Sequence, residues 1–387
     1  MKSFGIVLIL ASILVVGCAQ SQRSPVTALA AASPAPPASS SLRPVKIVSP
    51  EVLPDHRATF RVLAPKAAEA SVFGEWMAPN TPAPMSRNNQ GVWSVTLGPL
   101  EPGLHIYSFT VDGVTMPDPV NPRIKLRART SASLVDVPGH PPELWQTRDV
   151  PHGTVEINWR KSQVIGDTRA FEVYTPPDYT LQAAARYPVL YLLHGNNDTA
   201  AGWTDVGKAN FILDNLLAEK KALPMIMVMP WGHAVPYDGP QAGNTAVFER
   251  HLIEEIIPAV EAKYRVAPGR ENRAIAGLSM GGGQSLQIGL DHLELFSAVG
   301  VFSSAAPPNF PTRFKTLLDD PDGTNAKLKQ FWIGCGRQDP AFTRVQQTLA
   351  LLHSHQIKTT FYSTEGRHEF AVWRKCLTEL APLLFQP

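Results

Sequence analysis

Residues Arg273-Ala274-Ile275-Ala276-Gly277-Leu278-Ser279-Met280-Gly281-Gly282 decide how this chain is read. Arg273 to Ala276 reads as a short strand, and Gly282 to Leu290 can open a helix. Between them stands Gly-x-Ser-x-Gly, the pattern of a sharp strand-to-helix turn that lifts a serine hydroxyl clear of the backbone. The small residues two positions either side of Ser279 let strand and helix approach closely. A serine hydroxyl is a weak nucleophile until a base takes its proton. The pattern therefore sends the search outward for a base, an acid and oxyanion donors.

Residues 150–387 around this turn have an α/β rhythm. Arg169 to Tyr174 is strand-like, and Tyr187 to Leu193 is a continuous apolar run, as expected of a strand buried on both faces. Met225 to Met229, Phe331 to Gly334 and Lys358 to Tyr362 read as further strands. Helical patterns at Asn210 to Lys220 and Phe248 to Tyr264 lie between them. This alternation predicts a mostly parallel sheet with helices on both faces.

Among eleven histidines, His368 is the candidate base, because Gly366-Arg367-His368-Glu369-Phe370 follows the last strand. His353 and His355 read as a solvent-facing helix end, and His194 precedes a loop nearer the start of the sheet. The base needs an acid that orients the imidazole and stabilises its cation. Asp339, just beyond the strand Phe331 to Gly334, is the candidate, with Glu365 and Asp322 as alternatives. The order Ser279, Asp339, His368 is that of an α/β-hydrolase. The oxyanion requires preorganised backbone donors. Met280 N–H, at the start of the helix, is one candidate. Asn196 N–H, in the loop His194-Gly195-Asn196-Asn197-Asp198 after the strand Val189 to Leu193, is the other. Trp203, Trp231 and Trp373 are candidates for lining a pocket or for plain core.

Tyr187 to Gly195, Gly277 to Gly281, Ile333-Gly334-Cys335-Gly336 with Asp339, and Gly366 to His368 with Val372-Trp373-Arg374 together resemble the esterase-D-like proteins. Within that group they are most similar to carbohydrate esterase family 1, the feruloyl and acetylxylan esterases. Phe248 to Val266 also resembles the helix preceding the nucleophile strand in that family. The resemblance implies a serine carboxylic-ester hydrolase without a cofactor, acting on a small-molecule or oligosaccharide ester. Arg367 and His251 depart from the family pattern and leave substrate preference open. A siderophore esterase of the enterobactin type and acyl transfer to an alcohol are the rivals within enzymes. A lipid-anchored carbohydrate-binding protein with a vestigial hydrolase domain is the rival outside them.

Residues 46–140 read as all-β. Ala58 to Leu63, Gly91 to Leu97 and His105 to Val111 alternate, and turn signals such as Asp112-Gly113 separate them, which predicts an immunoglobulin-like sandwich. Phe60 to Pro65, Gly91-Val92-Trp93, and Tyr107 to Gly113 with Asp118-Pro119 resemble the early-set domains, especially family-48 carbohydrate-binding modules. Trp93 lies in an alternating strand and reads as core. Trp76, nearer a loop, is the better candidate for contact with a sugar; the reading preferred over sugar binding is that this domain packs beside the active-site rim and shapes access to Ser279. Upstream, residues 19–45 are rich in Ala, Ser and Pro and read as a flexible linker. Residues 1–18 read as a signal peptide: Lys2, an apolar stretch from Phe4, then Val15-Val16-Gly17-Cys18. That ending resembles a bacterial lipobox, which implies export, acylation of Cys18 and a lipid anchor in the cell envelope.

Composition excludes other classes. Of 387 residues, 44% are hydrophobic and 18% charged, and the formal net charge is +2. No Lys/Arg run points to nucleic acid. Gly281-Gly282-Gly283 lacks the Lys-Ser/Thr of a phosphate loop, and no cluster has metal-ligand spacing. Cys335 and Cys376 read as two buried thiols, with pairing left open because sequence spacing cannot bring two sulfurs together.

Overall fold

The computed structural model describes residues 46–181, 184–237 and 241–386. Cys18, the signal segment and the 19–45 linker lie outside the described residues.

The α/β-hydrolase unit is built on eight strands. Their spatial order is Thr154–Lys161, Thr168–Thr175, Ile226–Pro230, Val189–Leu193, Arg273–Leu278, Ala298–Phe302, Gln330–Gly336 and Thr360–Thr364. The first two pairings are antiparallel and the rest parallel. Val189–Leu193, Ile226–Pro230 and Ala298–Phe302 are buried at every position, as a parallel sheet covered on both faces requires. Two strands escape the sequence reading. Ala298–Phe302 is short, with Gly300 at its centre. Thr154–Lys161 is an exposed edge strand, where polar residues mask the pattern. The helix expected from Phe248 to Tyr264 is continuous from Asn244 to Lys263 but carries a π-turn at Leu252–Ile256.

The sandwich that precedes it has two sheets. One orders Glu51–Val52, Ala58–Leu63, Val92–Leu97 and Ser86–Arg87; the other orders Ala83–Pro84, Ala70–Gly74, Gly103–Val111, Ala132–Val137 and Ile124–Lys125, with Val114–Met116 beside Gly103–Val111. Phe60, Trp93, Tyr107 and Phe109 fill the space between the sheets. Trp93 is core, and its Nε1 donates to Ala64 O at 2.9 Å. Part of the second sheet, the first half of Gly103–Val111 with its neighbour Ala132–Val137, is covered on both faces. Tyr107 and Phe109 point into the sandwich, whereas Leu104, Ile106 and Leu134 join a core with Leu190, Leu192 and Trp373 of the hydrolase unit. Period-two alternation here separates two cores rather than core from solvent. Arg374, itself buried, ties the units by donating to Val206 O at 2.9 Å and Leu104 O at 3.2 Å.

Candidate active site

Ser279 sits at the turn between the strand Arg273–Leu278 and the helix Met280–Asp291, with φ 52° and ψ −116°. This is a sparsely populated conformation for a residue with a Cβ, and the surroundings hold it. Ser279 N–H donates to Phe302 O at 2.8 Å, continuing the sheet ladder into the turn. The glycines on either side are needed for space. A Cβ on Gly277 would lie 2.6 Å from the Gly281 backbone, and one on Gly281 would lie 2.6 Å from His194 O.

Three sequence candidates converge. His368 Nε2 lies 2.8 Å from Ser279 Oγ, and His368 Nδ1 lies 2.9 Å from Asp339 Oδ2. The Asp339 side chain is fully buried, while that of His368 is 37% exposed, so the acid is sealed and the base reaches the cleft. Burial alone would raise the Asp339 carboxyl. Hydrogen bonds from His368, the Ala341 N–H and Ser303 outweigh it and hold the group below its usual range. Glu365, the alternative acid, is exposed and paired with Arg337 at 2.7 Å. Asp322 sits in the first turn of the helix Pro321–Lys327.

Met280 opens its helix, so its N–H belongs to a first turn without i−4 acceptors. Asn196 lies in a loop fixed from several sides. His194 Nδ1 donates to Gly195 O at 2.8 Å, and His194 Nε2 accepts Gly232 N–H at 2.8 Å, which fixes the tautomer. The sandwich also holds this loop. Lys125 Nζ forms an ion pair with Asp198 Oδ1 at 2.6 Å, with both side chains buried, and Ala128 N–H donates to Asn197 O at 3.3 Å. Lys125 Nζ stands 4.6 Å from the centre of the Phe370 ring, two residues beyond the base.

Of the three tryptophans, Trp373 reaches the site. Its ring meets His368 edge-on at 5.0 Å, and its Nε1 donates to Ser303 Oγ at 2.9 Å. Trp203 is core, fully buried and donating to Leu193 O at 2.9 Å. Trp231 is half-buried beside the His194 and His233 rings. His251 is buried and bound to Glu255 at 2.7 Å, so this departure from the family pattern serves the helix. Arg367 lines the cleft between the two units. Cys335 and Cys376 are buried free thiols, and burial pushes Cys335 up to about 12. Among the described residues, no group of three or more His, Cys, Asp or Glu could hold a metal ion. No helix among them is long and apolar enough to cross a membrane.

Sequence reasoning missed Ser303, Lys125, Glu75 and Arg127. Ser303 follows the overlooked strand Ala298–Phe302, and a buried apolar run there is the signal that could have exposed it. The other three belong to the sandwich and carry no motif.

With this geometry in place, residues 162–383 match the family described as "Putative esterase". The chain belongs to this esterase family. It is 31% identical over 346 residues to an endo-1,4-beta-xylanase/feruloyl esterase of Xylanibacter ruminicola, covering 87% of this chain and 46% of that protein. It is also 30% identical over 176 residues to an esterase of Mycobacterium tuberculosis, covering 45% of this chain and 35% of that one. The chain thus spans about half or less of these relatives. A solved ferulic acid esterase superposes with a TM-score of 0.52 at 29% identity, covering 60% of this chain and 97% of its own. The enterobactin esterase of Shigella flexneri gives 0.62 at 19% identity, covering 84% and 92%. At that identity the likeness is one of fold. Its greater coverage carries the likeness beyond the hydrolase unit into the sandwich.

Proposed function

We propose that this chain is a serine carboxylic-ester hydrolase working through a Ser279–His368–Asp339 triad and an acyl-enzyme, on acyl or feruloyl esters of carbohydrate. The observation carrying this reading is the unbroken hydrogen-bond chain from buried Asp339 through His368 to a serine on a strained turn. His368 Nε2 takes the Ser279 proton as Oγ attacks the ester carbonyl. Asp339 keeps the imidazole in the tautomer with Nε2 free and stabilises its cation. Met280 and Asn196 N–H groups receive the oxyanion. Collapse expels the alcohol, which leaves with the proton from His368. Water then attacks the acyl-enzyme by the same route, releasing the carboxylic acid and free Ser279. These steps call on no cofactor.

Turnover of 4-nitrophenyl acetate by the wild type, lost in folded Ser279→Ala, tests the reaction. A panel of acetylated xylan, feruloylated oligosaccharides and a siderophore triester tests the substrate. The siderophore stands as a second reading because the enterobactin esterase fold covers 84% of this chain. We also propose export and lipid anchoring through Cys18, supported by the Val15-Val16-Gly17-Cys18 ending. Cys18→Ser should abolish lipid labelling and release the protein from membranes; unchanged labelling would refute the anchor.

A further inference from the structure

Two cavities meet at Ser279 and His368, and their walls differ in chemistry. One, of about 610 Å³, is lined beyond the catalytic groups mainly by small or neutral residues such as Met280, Ala305, Pro340 and Ala341, with Arg344 as its cation. The other, of about 370 Å³, is bounded by Asn196, Phe370 and Trp373 from the hydrolase unit and by Glu75, Lys125 and Arg127 from the sandwich.

The charged groups of the second cavity are not equally committed. Lys125 is consumed by Asp198. Glu75 spends Oε1 on the Ile106 N–H at 2.9 Å. Arg127 is half-buried, and its buried Nε has no hydrogen-bond partner. A guanidinium carries five donors in a rigid fork, and Arg127, which lines this cavity, has this donor available to an acceptor that enters it. Burial pushes the Glu75 carboxyl up to about 7, so near neutrality it can both donate and accept. A donor fork and an amphoteric carboxyl within one small space suit a molecule bearing several hydroxyls. They do not suit an acyl chain. Glu75 also borders a larger cleft of about 880 Å³ between the two units, which Trp76 and Trp145 help to line, so the subsite opens onto room for more of the same molecule.

We propose that the sandwich completes the active site, with Arg127 and Glu75 forming a subsite for the hydroxyl groups of a polyhydroxylated leaving alcohol, a sugar, while the cavity beside Met280 and Ala305 receives the acyl group. This rests on the ester-hydrolase reading above and assigns its alcohol side. The subsite wall is fixed rather than adjustable, because Lys125 joins it to the oxyanion loop through a buried ion pair.

The test holds the acyl group constant and varies the alcohol. The kcat/KM for methyl ferulate is compared with that for a feruloylated arabinose oligosaccharide in wild type and Arg127→Ala. Methyl acetate against acetylated xylobiose serves if the enzyme prefers acetate. Arg127→Ala should lower kcat/KM for the sugar ester at least about tenfold more than for the methyl ester, mainly through KM, as expected for loss of hydrogen bonds to a charged donor. Arg127→Gln, which keeps a donor and most of the volume, should recover part of the difference and serves if the alanine variant fails to fold. Arg57→Ala, at an exposed residue paired with Asp55, should change neither ester. An equal loss on both esters would overturn the subsite. So would a wild type active on the methyl ester and inert on the sugar ester. Absence of hydrolysis of every ester would instead sink the ester-hydrolase reading.

Discussion

The two sides of the cleft at Ser279 and His368 are built by different means. On one side, Ser279, Asp339 and His368 all follow strands of a single sheet. Backbone register sets their spacing: Leu278 pairs with Phe302, Phe302 with Gly334, and Gly336 with Thr364. On the other side, Lys125 and Arg127 come from the edge strand Ile124–Lys125 of the sandwich and the residues just beyond it. Side chains and one loop hydrogen bond hold that side, chiefly the Lys125–Asp198 ion pair. A side fixed by a ladder of backbone bonds tolerates the loss of a side chain in its geometry but not in its chemistry. A side held by side-chain contacts, among them one buried ion pair, depends on those side chains for its geometry as well.

Removing the chemistry of the ladder side should have the largest effect. Ser279→Ala should lower kcat by about 10⁶-fold in a folded protein, as loss of a triad nucleophile does. Near-normal turnover by such a mutant would refute the assignment. Asp339→Asn should cost about 10⁴-fold by favouring the wrong imidazole tautomer. Glu365→Gln, on an exposed residue paired with Arg337, should leave rates on 4-nitrophenyl acetate within about twofold. A severe loss at Glu365 with a mild one at Asp339 would move the acid.

The opposite side should respond in stability and in loop order together. Lys125→Ala leaves Asp198 buried without its cation, which costs about 3 kcal/mol or more in urea unfolding. Because Asp198 belongs to the loop bearing Asn196, the same variant should lower kcat on every ester alike, with less effect on KM. A variant losing stability while keeping full kcat would separate the sandwich from the oxyanion loop.

A further effect, visible only on changing pH, belongs to Glu75. Burial pushes Glu75 up to about 7, opposed by the Ile106 N–H and by Arg374 and Lys125, and reinforced by Glu369; His105 also stands 4.0 Å away. In the unfolded chain a glutamate ionises near about 4.3. Between these values the folded state holds a proton that the unfolded state lacks, so Glu75 erodes stability as pH rises from about 4.5 to about 7. Glu75→Gln should therefore gain up to about 3 kcal/mol relative to wild type on going from pH 4 to pH 8. Parallel stability curves for the two proteins would show that Glu75 ionises freely.

Sequence alone marked the turn at Ser279, because a strained strand-to-helix junction admits few residue types and the glycines must stand close in the chain. It marked Asp339 and His368 by their positions after strands whose apolar runs are local signals. It also separated an alternating β region from an α/β region by period. It missed the strand Ala298–Phe302, where Gly300 interrupts a short run, and with it Ser303. It could not foresee that the first half of the strand Gly103–Val111 is buried on both faces, because alternation looks the same whether the second face meets water or a second core. Tertiary structure alone decided that Trp203 is core while Trp373 meets His368, and that Glu75, Lys125 and Arg127 line a cavity with Ser279 and His368. Contacts within a strand, a turn or a helix leave a period or a spacing in the sequence. A contact between two regions distant in the chain leaves neither, since it depends on how their surfaces fit together.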